Sequence, residues 1–256
     1  MNKHYFITGS NGTVGKLVTQ LLIQLGKPVL TVNRSPDSNS WSDSWSQLIR
    51  NLDDTANLTD LIVIHLAIPP QPRNRTVLEK YVLNTLELAV KVHAMGGEFW
   101  FVSSLSAHSG NPSLYAQHKK SLERKILDLG GNVLSLGLVT SGDSKSSFQR
   151  LKKLSKLFPS EVLSEKDASY YLTSQSSIRN WLQVRASALP LSGVYEICAN
   201  TLSKNFNEVF PDNRPLTKIY SPFILVVVFL RIMIHRYNNL FFDPIVNLYY
   251  GMRIES

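Results

Sequence analysis

A doubly wound parallel α/β sheet is what the sequence predicts, on three observations. Apolar runs of strand length alternate with amphipathic runs of helix length, the pattern of βαβ units. The run Leu61-Ile62-Val63-Ile64-His65-Leu66-Ala67 is almost continuously apolar, as a strand buried on both faces must be. The segment Thr8-Gly9-Ser10-Asn11-Gly12-Thr13-Val14-Gly15 joins a short apolar run (Tyr5, Phe6, Ile7) to an amphipathic one (Leu17, Val18, Leu21, Leu22, Leu25).

That last segment is the most informative. Strand, glycine-rich turn and helix together form an arrangement that holds a pyrophosphate on the positive end of a helix. Gly9 permits the tight turn, Gly12 lets backbone N–H groups approach phosphate, and Gly15 lets the helix pack on the strand. Asn11, Thr13 and Val14 complete the expected dinucleotide contacts.

The elements follow in order. The first strand is expected over 4–8 and its helix over 14–25, with Gly26 and Pro28 marking the turn. Val29–Val32 is the second strand, followed by a polar, Ser-rich stretch and a helix-like run through Leu48, Ile49 and Leu52. The strand at 61–67 ends at Pro69, Pro70 and Pro72. A long helix over 76–92 carries Leu78, Tyr81, Val82, Leu86, Ala89 and Val90 at helical spacing, and Gly96-Gly97 stops it. Phe99–Val102 is a strand opening into Ser103-Ser104-Leu105-Ser106, and a helix spans 115–129 ahead of Gly130-Gly131. A strand over 133–139 comes next. Beyond it the pattern loosens, with helices expected at 148–157, 168–188 and 222–236 and a strand at 194–199.

The 256 residues suffice for one α/β domain with a small appendage, and 43% hydrophobic against 18% charged content describes a globular chain. The net charge of +8 favours anionic ligands or an acidic surface. Its basic residues are mostly scattered and form no aromatic-and-basic recognition module, so nucleic acid is not expected as a partner. The single cysteine, Cys198, excludes an internal disulfide and any cysteine-rich metal site, and we expect it to be a buried structural thiol. No metal is expected. The chain enters its first strand within a few residues, so no signal peptide is expected and a cytoplasmic location is.

Tyr115-Ala116-Gln117-His118-Lys119 places a phenol and an ammonium one helical turn apart on one face. The ammonium favours the phenolate, which suits the phenol to general acid/base work. The pair follows a Ser-rich strand end by about ten residues, in a chain that opens with a dinucleotide loop.

These pieces together resemble the short-chain dehydrogenase/reductase superfamily, in the branch of NAD(P)-dependent epimerases, dehydratases and reductases acting on nucleotide sugars. The matching elements are Thr8-Gly9-x-x-Gly12-x-x-Gly15, His65-Leu66-Ala67 at the end of the family's fourth strand, Asn84 in the following helix, Ser103-Ser104, and Tyr115-x-x-x-Lys119. The likeness covers roughly residues 3–140 and fades afterwards. It implies a Rossmann-type NAD(P)-binding domain over 1–140, with 141–256 forming a small, reduced substrate lobe and C-terminal apolar helices packed on the same domain. It further implies that Tyr115 is the catalytic acid/base, that Lys119 binds the nicotinamide ribose and tunes it, and that Ser104 holds the reacting oxygen, with Ser106 as competitor. Leu66, Ala67 and Asn84 would lie beside the cofactor, and His65 would pack there.

Arg34 follows the second strand, where NAD-preferring relatives carry a carboxylate. An arginine suits a 2′-phosphate, so NADP(H) is favoured, and Asp37 keeps NAD(H) open. Three departures stand out. No convincing third strand follows Arg34, Trp41-Ser42-Asp43 being the best candidate; Ser135 stands where an Arg is common; and Thr173-Ser174-Gln175 replaces an acidic pair.

The run 223–234 is too short to span a membrane and is interrupted by Arg231. Its basic flank would suit peripheral contact with the inner membrane surface through 222–236; packing over the substrate lobe or in a homodimer is the alternative. The expected activity is epimerisation or reduction of a nucleotide-linked keto-sugar by hydride transfer. The competing readings are a non-catalytic NADP(H)-binding regulator and a membrane-associated reductase of a hydrophobic carbonyl compound.

Overall fold

The computed structural model describes residues 3–32, 60–67, 75–108, 114–144, 146–157, 170–199 and 203–211. The expectations for Arg34, Asp37, the 41–43 strand, the helix near 48–52 and the apolar helix at 222–236 lie outside these residues. The chain divides into two compact units.

The first unit comprises Met1–Ser103, Ser121–Ser135 and Gln175–Cys198. Its strands are β1 (His4–Thr8), β2 (Val29–Val32), β3 (Leu61–His65), β4 (Glu98–Ser104), β5 (Asn132–Leu136) and β8 (Tyr195–Cys198), in the order β2-β1-β3-β4-β5-β8. β1 pairs in parallel with β2 and β3, and β3 with β4. This is the doubly wound sheet expected from the sequence. Central position explains composition: Tyr5, Phe6 and Ile7 and all of β3 are buried, because a central parallel strand has no solvent face.

Helix α1 (Thr13–Gln24) buries Gly15, Val18, Leu21 and Leu22. Helix α2 (Arg75–Ala94) buries Leu78, Tyr81, Val82, Thr85, Leu88, Ala89 and Val92, one stripe of 3.6-residue period. The expected stripe included Val90, which instead lies 50% exposed, because Leu88, Ala89 and Val92 already occupy the inner face. Phe6, Val63, Phe99 and Phe101 from the strands meet Tyr81 and Leu88 from α2 and Leu122 and Ile126 from the second half of helix α3 (Leu114–Asp128) in the main core.

Helix α5 (Gln175–Ser187) is held by polar ties as well as apolar ones. Lys3 Nζ donates to the carbonyls of Arg185 (2.9 Å) and Ala188 (2.5 Å), a cation at the negative end of a helix. Trp181 donates to Glu196 at 2.6 Å and meets Trp100 edge-on at 5.1 Å. Asn132 donates to Leu191 O and accepts from Val194 N, fixing the approach to β8. Cys198 is buried, as expected.

The second unit comprises Ser104–Lys120, Leu136–Ser174 and Ala199–Ser256. Its described elements include the first half of α3, β6 (Leu138–Val139), helix α4 (Ser147–Leu157), β7 (Tyr170–Thr173), β9 (Ser203–Lys204) and helix α6 (Phe206–Val209). β6 pairs in parallel with β7, and β7 antiparallel with β9. Leu105, Leu138, Leu151, Tyr170, Phe206 and Phe210 form its core.

Two expectations are corrected here. The helix expected over 168–188 begins only at Gln175, because Tyr170–Thr173 is a strand; aromatic and β-branched residues suit the pleated, half-buried position beside β6. The strand expected over 133–139 is broken at Gly137 into β5 and β6. At Gly137 a Cβ would lie 2.2 Å from the Tyr171 carbonyl oxygen, and its N–H donates to Thr173 Oγ1 at 2.8 Å.

Candidate functional site

From β1 the chain moves outward to β2 and then returns to the other side of β1 to form β3. Strand order thus reverses between β1 and β3, and crevices outside the carboxyl ends of strands at such reversals are where these sheets hold ligands. Thr8 and His65 are the last residues of the two strands and lie opposite each other in register. The segments that leave them, Gly9–Gly12 and Leu66-Ala67, are those the sequence singled out.

The three glycines of the loop differ in what they serve. Gly9 has φ +72°, and a Cβ there would lie 2.7 Å from the Ala67 nitrogen. A Cβ on Gly15 would lie 2.2 Å from the Gly9 carbonyl oxygen. Packing of the protein itself therefore demands both. Gly12 has ordinary extended backbone (φ −71°, ψ 163°), is exposed, and its added Cβ would meet nothing closer than 3.4 Å. Gly12 N-caps α1 with no side-chain hydrogen bond, and the first turn carries no carboxylate. The positive end of this helix thus presents backbone to any approaching anion.

Asn11 lies exposed in the loop, and Thr13 and Val14 are half-buried in the first turn of α1. Leu66 and Ala67 are half-buried where β3 ends. Thr8 Oγ1 accepts the Ala67 N–H at 3.3 Å, which ties the two strand ends together. Asn84 lies half-buried on α2. Arg34 lies outside the described residues.

The second unit holds the remaining candidates. Ser104 closes β4 with extended backbone and caps a 3-10 turn over Leu105–Ala107. Its Oγ accepts the Ser106 N–H at 3.3 Å and lies 2.9 Å from Ser106 Oγ. Leu105 and Ser106 are both buried, whereas Ser104 is half-exposed, so Ser104 offers the more accessible hydroxyl. On α3, Lys119 Nζ stands 5.9 Å from the centre of the Tyr115 ring. The intervening Ala116 faces the interior and Gln117 faces solvent, as one turn of helix requires. Lys119 is buried and Tyr115 is half-buried.

Sequence reasoning missed the contacts of His65. It is fully buried, with Nδ1 2.8 Å from Thr8 Oγ1 and Nε2 3.2 Å from Thr85 Oγ1. The rings of Tyr81, Phe99 and Phe101 stack around it at 5.8, 6.0 and 6.2 Å. The signal was there, since Thr85 is a polar residue within the apolar stripe of α2. Among the described residues no group of three or more His, Cys, Asp or Glu side chains could hold a metal. Nor is any described helix long and apolar enough to cross a membrane.

No family model matches this sequence, and no curated protein does. Solved structures do match. MoeE5 in complex with UDP-glucuronic acid and NAD superposes with a TM-score of 0.63 at 19% identity, over 80% of this chain and 79% of its own. UDP-N-acetylglucosamine 4-epimerase from Bacillus cereus gives 0.60 at 13% identity, over 86% and 88%. dTDP-4-dehydrorhamnose reductase from Bacillus anthracis in complex with NADP gives 0.59 at 15%, over 81% and 78%. Over most of its length the chain has the fold of these solved proteins.

Proposed function

We propose that the protein is an NAD(P)-dependent epimerase or reductase of a nucleotide-linked sugar, with Tyr115 as its acid/base. The observation that carries this reading is the division of labour among the loop glycines. Gly9 and Gly15 answer to internal packing, whereas Gly12 has room for a side chain and lacks one. A bare backbone at the positive end of a helix fits a pyrophosphate. The fold likeness to proteins solved with NAD or NADP supports the same reading.

Asn11, Gly12, Thr13 and Val14 would hold the pyrophosphate in a loop whose shape Gly9 and Gly15 set, and Leu66, Ala67 and Asn84 would border the dinucleotide. Arg34, the second residue beyond β2, favours NADP(H). A nicotinamide cofactor supplies hydride exchange when bound.

The protein's own residues manage the proton. Tyr115 passes its phenolic proton to the oxygen of a keto-sugar during reduction, or takes the hydroxyl proton during oxidation. The Lys119 ammonium beside the ring favours the phenolate and holds the ribose. Ser104 donates a hydrogen bond to the same oxygen and fixes its position. The nucleotide-bearing ligands of the neighbours are anionic, and the +8 charge of this chain suits such a substrate.

The test is to incubate the purified protein with NADPH and, in turn, UDP-, dTDP- and GDP-keto sugars while following absorbance. Steady cofactor consumption with any of them supports the reductase. Conversion between sugar epimers without net consumption, with NAD bound, supports the epimerase. Neither outcome across the panel, with dinucleotide bound, would overturn catalysis in favour of a binding role.

A further inference from the structure

The aromatic enclosure of His65 gives the loop a support that the glycine motif does not describe. We infer that His65 and Thr85 are positioning residues for the dinucleotide loop, acting through a hydrogen-bond chain that ends on the Ala67 amide. The inference rests on the proposed cofactor reading for its consequence, but not for the chain itself.

The Ala67 N–H can only donate, and Thr8 Oγ1 accepts it. Thr8 has one hydroxyl proton, and His65 Nδ1 lies 2.8 Å away. Thr85 Oγ1 lies 3.2 Å from His65 Nε2. A neutral imidazole has one N–H donor and one acceptor nitrogen, so in either tautomer the two threonine hydroxyls engage both ring nitrogens. A neutral imidazole suits the enclosure, which offers Tyr81, Phe99 and Phe101 as stacking partners.

The consequence lies at Ala67. Its nitrogen is the atom that a Gly9 Cβ would meet at 2.7 Å, so the loop backbone and the end of β3 fit against each other without slack. Thr8 Oγ1 meets both the Ala67 N–H and the His65 ring, so the place of the ring sets the place of the hydroxyl under Ala67. Removing the Thr85 hydroxyl leaves Nε2 without that partner, lets the ring shift, and loosens Ala67 under the loop.

Two measurements test this. In the full-length wild-type protein, ¹⁵N chemical shifts of the His65 ring should show one neutral tautomer with both nitrogens hydrogen-bonded. A ring averaging between tautomers, or an imidazolium, would overturn the chain, whether or not any dinucleotide binds. In Thr85→Val, which keeps shape and removes the hydroxyl, affinity for NADPH or NADH should fall about three- to tenfold, with faster exchange of the Ala67 amide. Thr85→Ser should restore both. Unchanged affinity and unchanged Ala67 exchange in Thr85→Val would overturn the positioning role. If the wild type bound neither dinucleotide, the cofactor reading would fail, and ring tautomer and Ala67 exchange alone would decide for or against the chain.

Discussion

A methyl group on Gly15 would sit 2.2 Å from the carbonyl oxygen of Gly9, closer than any two such atoms can approach. Helix α1 is therefore seated on its own entry loop, and the loop cannot relax away because Gly9 is itself wedged against Ala67.

Gly15→Ala should accordingly destabilise the fold, by about 1–3 kcal/mol as for other overpacked sites. Gly12→Ala should leave stability within about 0.5 kcal/mol, since its Cβ meets nothing closer than 3.4 Å. The same Gly12→Ala protein should bind NADPH and NADH at least about tenfold more weakly, because the methyl group would occupy the space proposed for the pyrophosphate. Urea unfolding and cofactor titration separate the two effects. Equal cofactor affinity in Gly12→Ala would remove the loop from the site.

Tyr115→Phe keeps the ring that stands 5.9 Å from Lys119 Nζ and deletes only the hydroxyl. Turnover of the productive sugar nucleotide should fall by about 10²–10⁴-fold with cofactor affinity preserved. Turnover equal to that of the wild type would exclude Tyr115 as the proton carrier.

Glu98 gives stability a definite dependence on pH. Burial raises its carboxyl above 4.5, against the lowering pull of the Trp100 indole N–H at 2.7 Å, Lys3, the Leu191 backbone and Arg185. The folded protein therefore keeps a proton at pH values where the unfolded chain has released it. That contribution is fully present below the unfolded pKa and is lost as pH rises through the folded one. In this acid window the urea midpoint should decline with rising pH in the wild type, and Glu98→Gln should flatten the decline. A slope identical in both proteins would assign it to another group.

Cys198 should be inert in the native protein. Burial, with a smaller push from Glu196, raises its thiol to about 11. At pH 8 only about one part in a thousand is thiolate, and the sulfur is covered as well. A thiol reagent should titrate nothing on the minutes scale natively and one equivalent after denaturation. Rapid native labelling would contradict the placement of β8.

Much of the first unit was legible in the chain. β1 and β2 fall where their apolar runs stand, and α1 and α2 begin and end within about two residues of the periodic stripes. Glycines at 26, 96 and 130 have positive φ, as helix-ending glycines do. Less was legible past Leu136, for a physical reason. Tyr170–Thr173 is a strand only because Leu138 and Val139 lie alongside it, and Gly137 is a break only because Tyr171 presses on it. Both depend on residues more than thirty positions away.

By itself the sequence determined the strand–loop–helix opening, the helix carrying Tyr115 and Lys119, and the order of the parallel units, because each is written in local periodicity and turn chemistry. Only the tertiary structure decided which loop glycine packing leaves free, which of Ser104 and Ser106 is accessible, and that His65 joins Thr8 to Thr85. Those are distances between residues remote in the chain, and no local pattern encodes them.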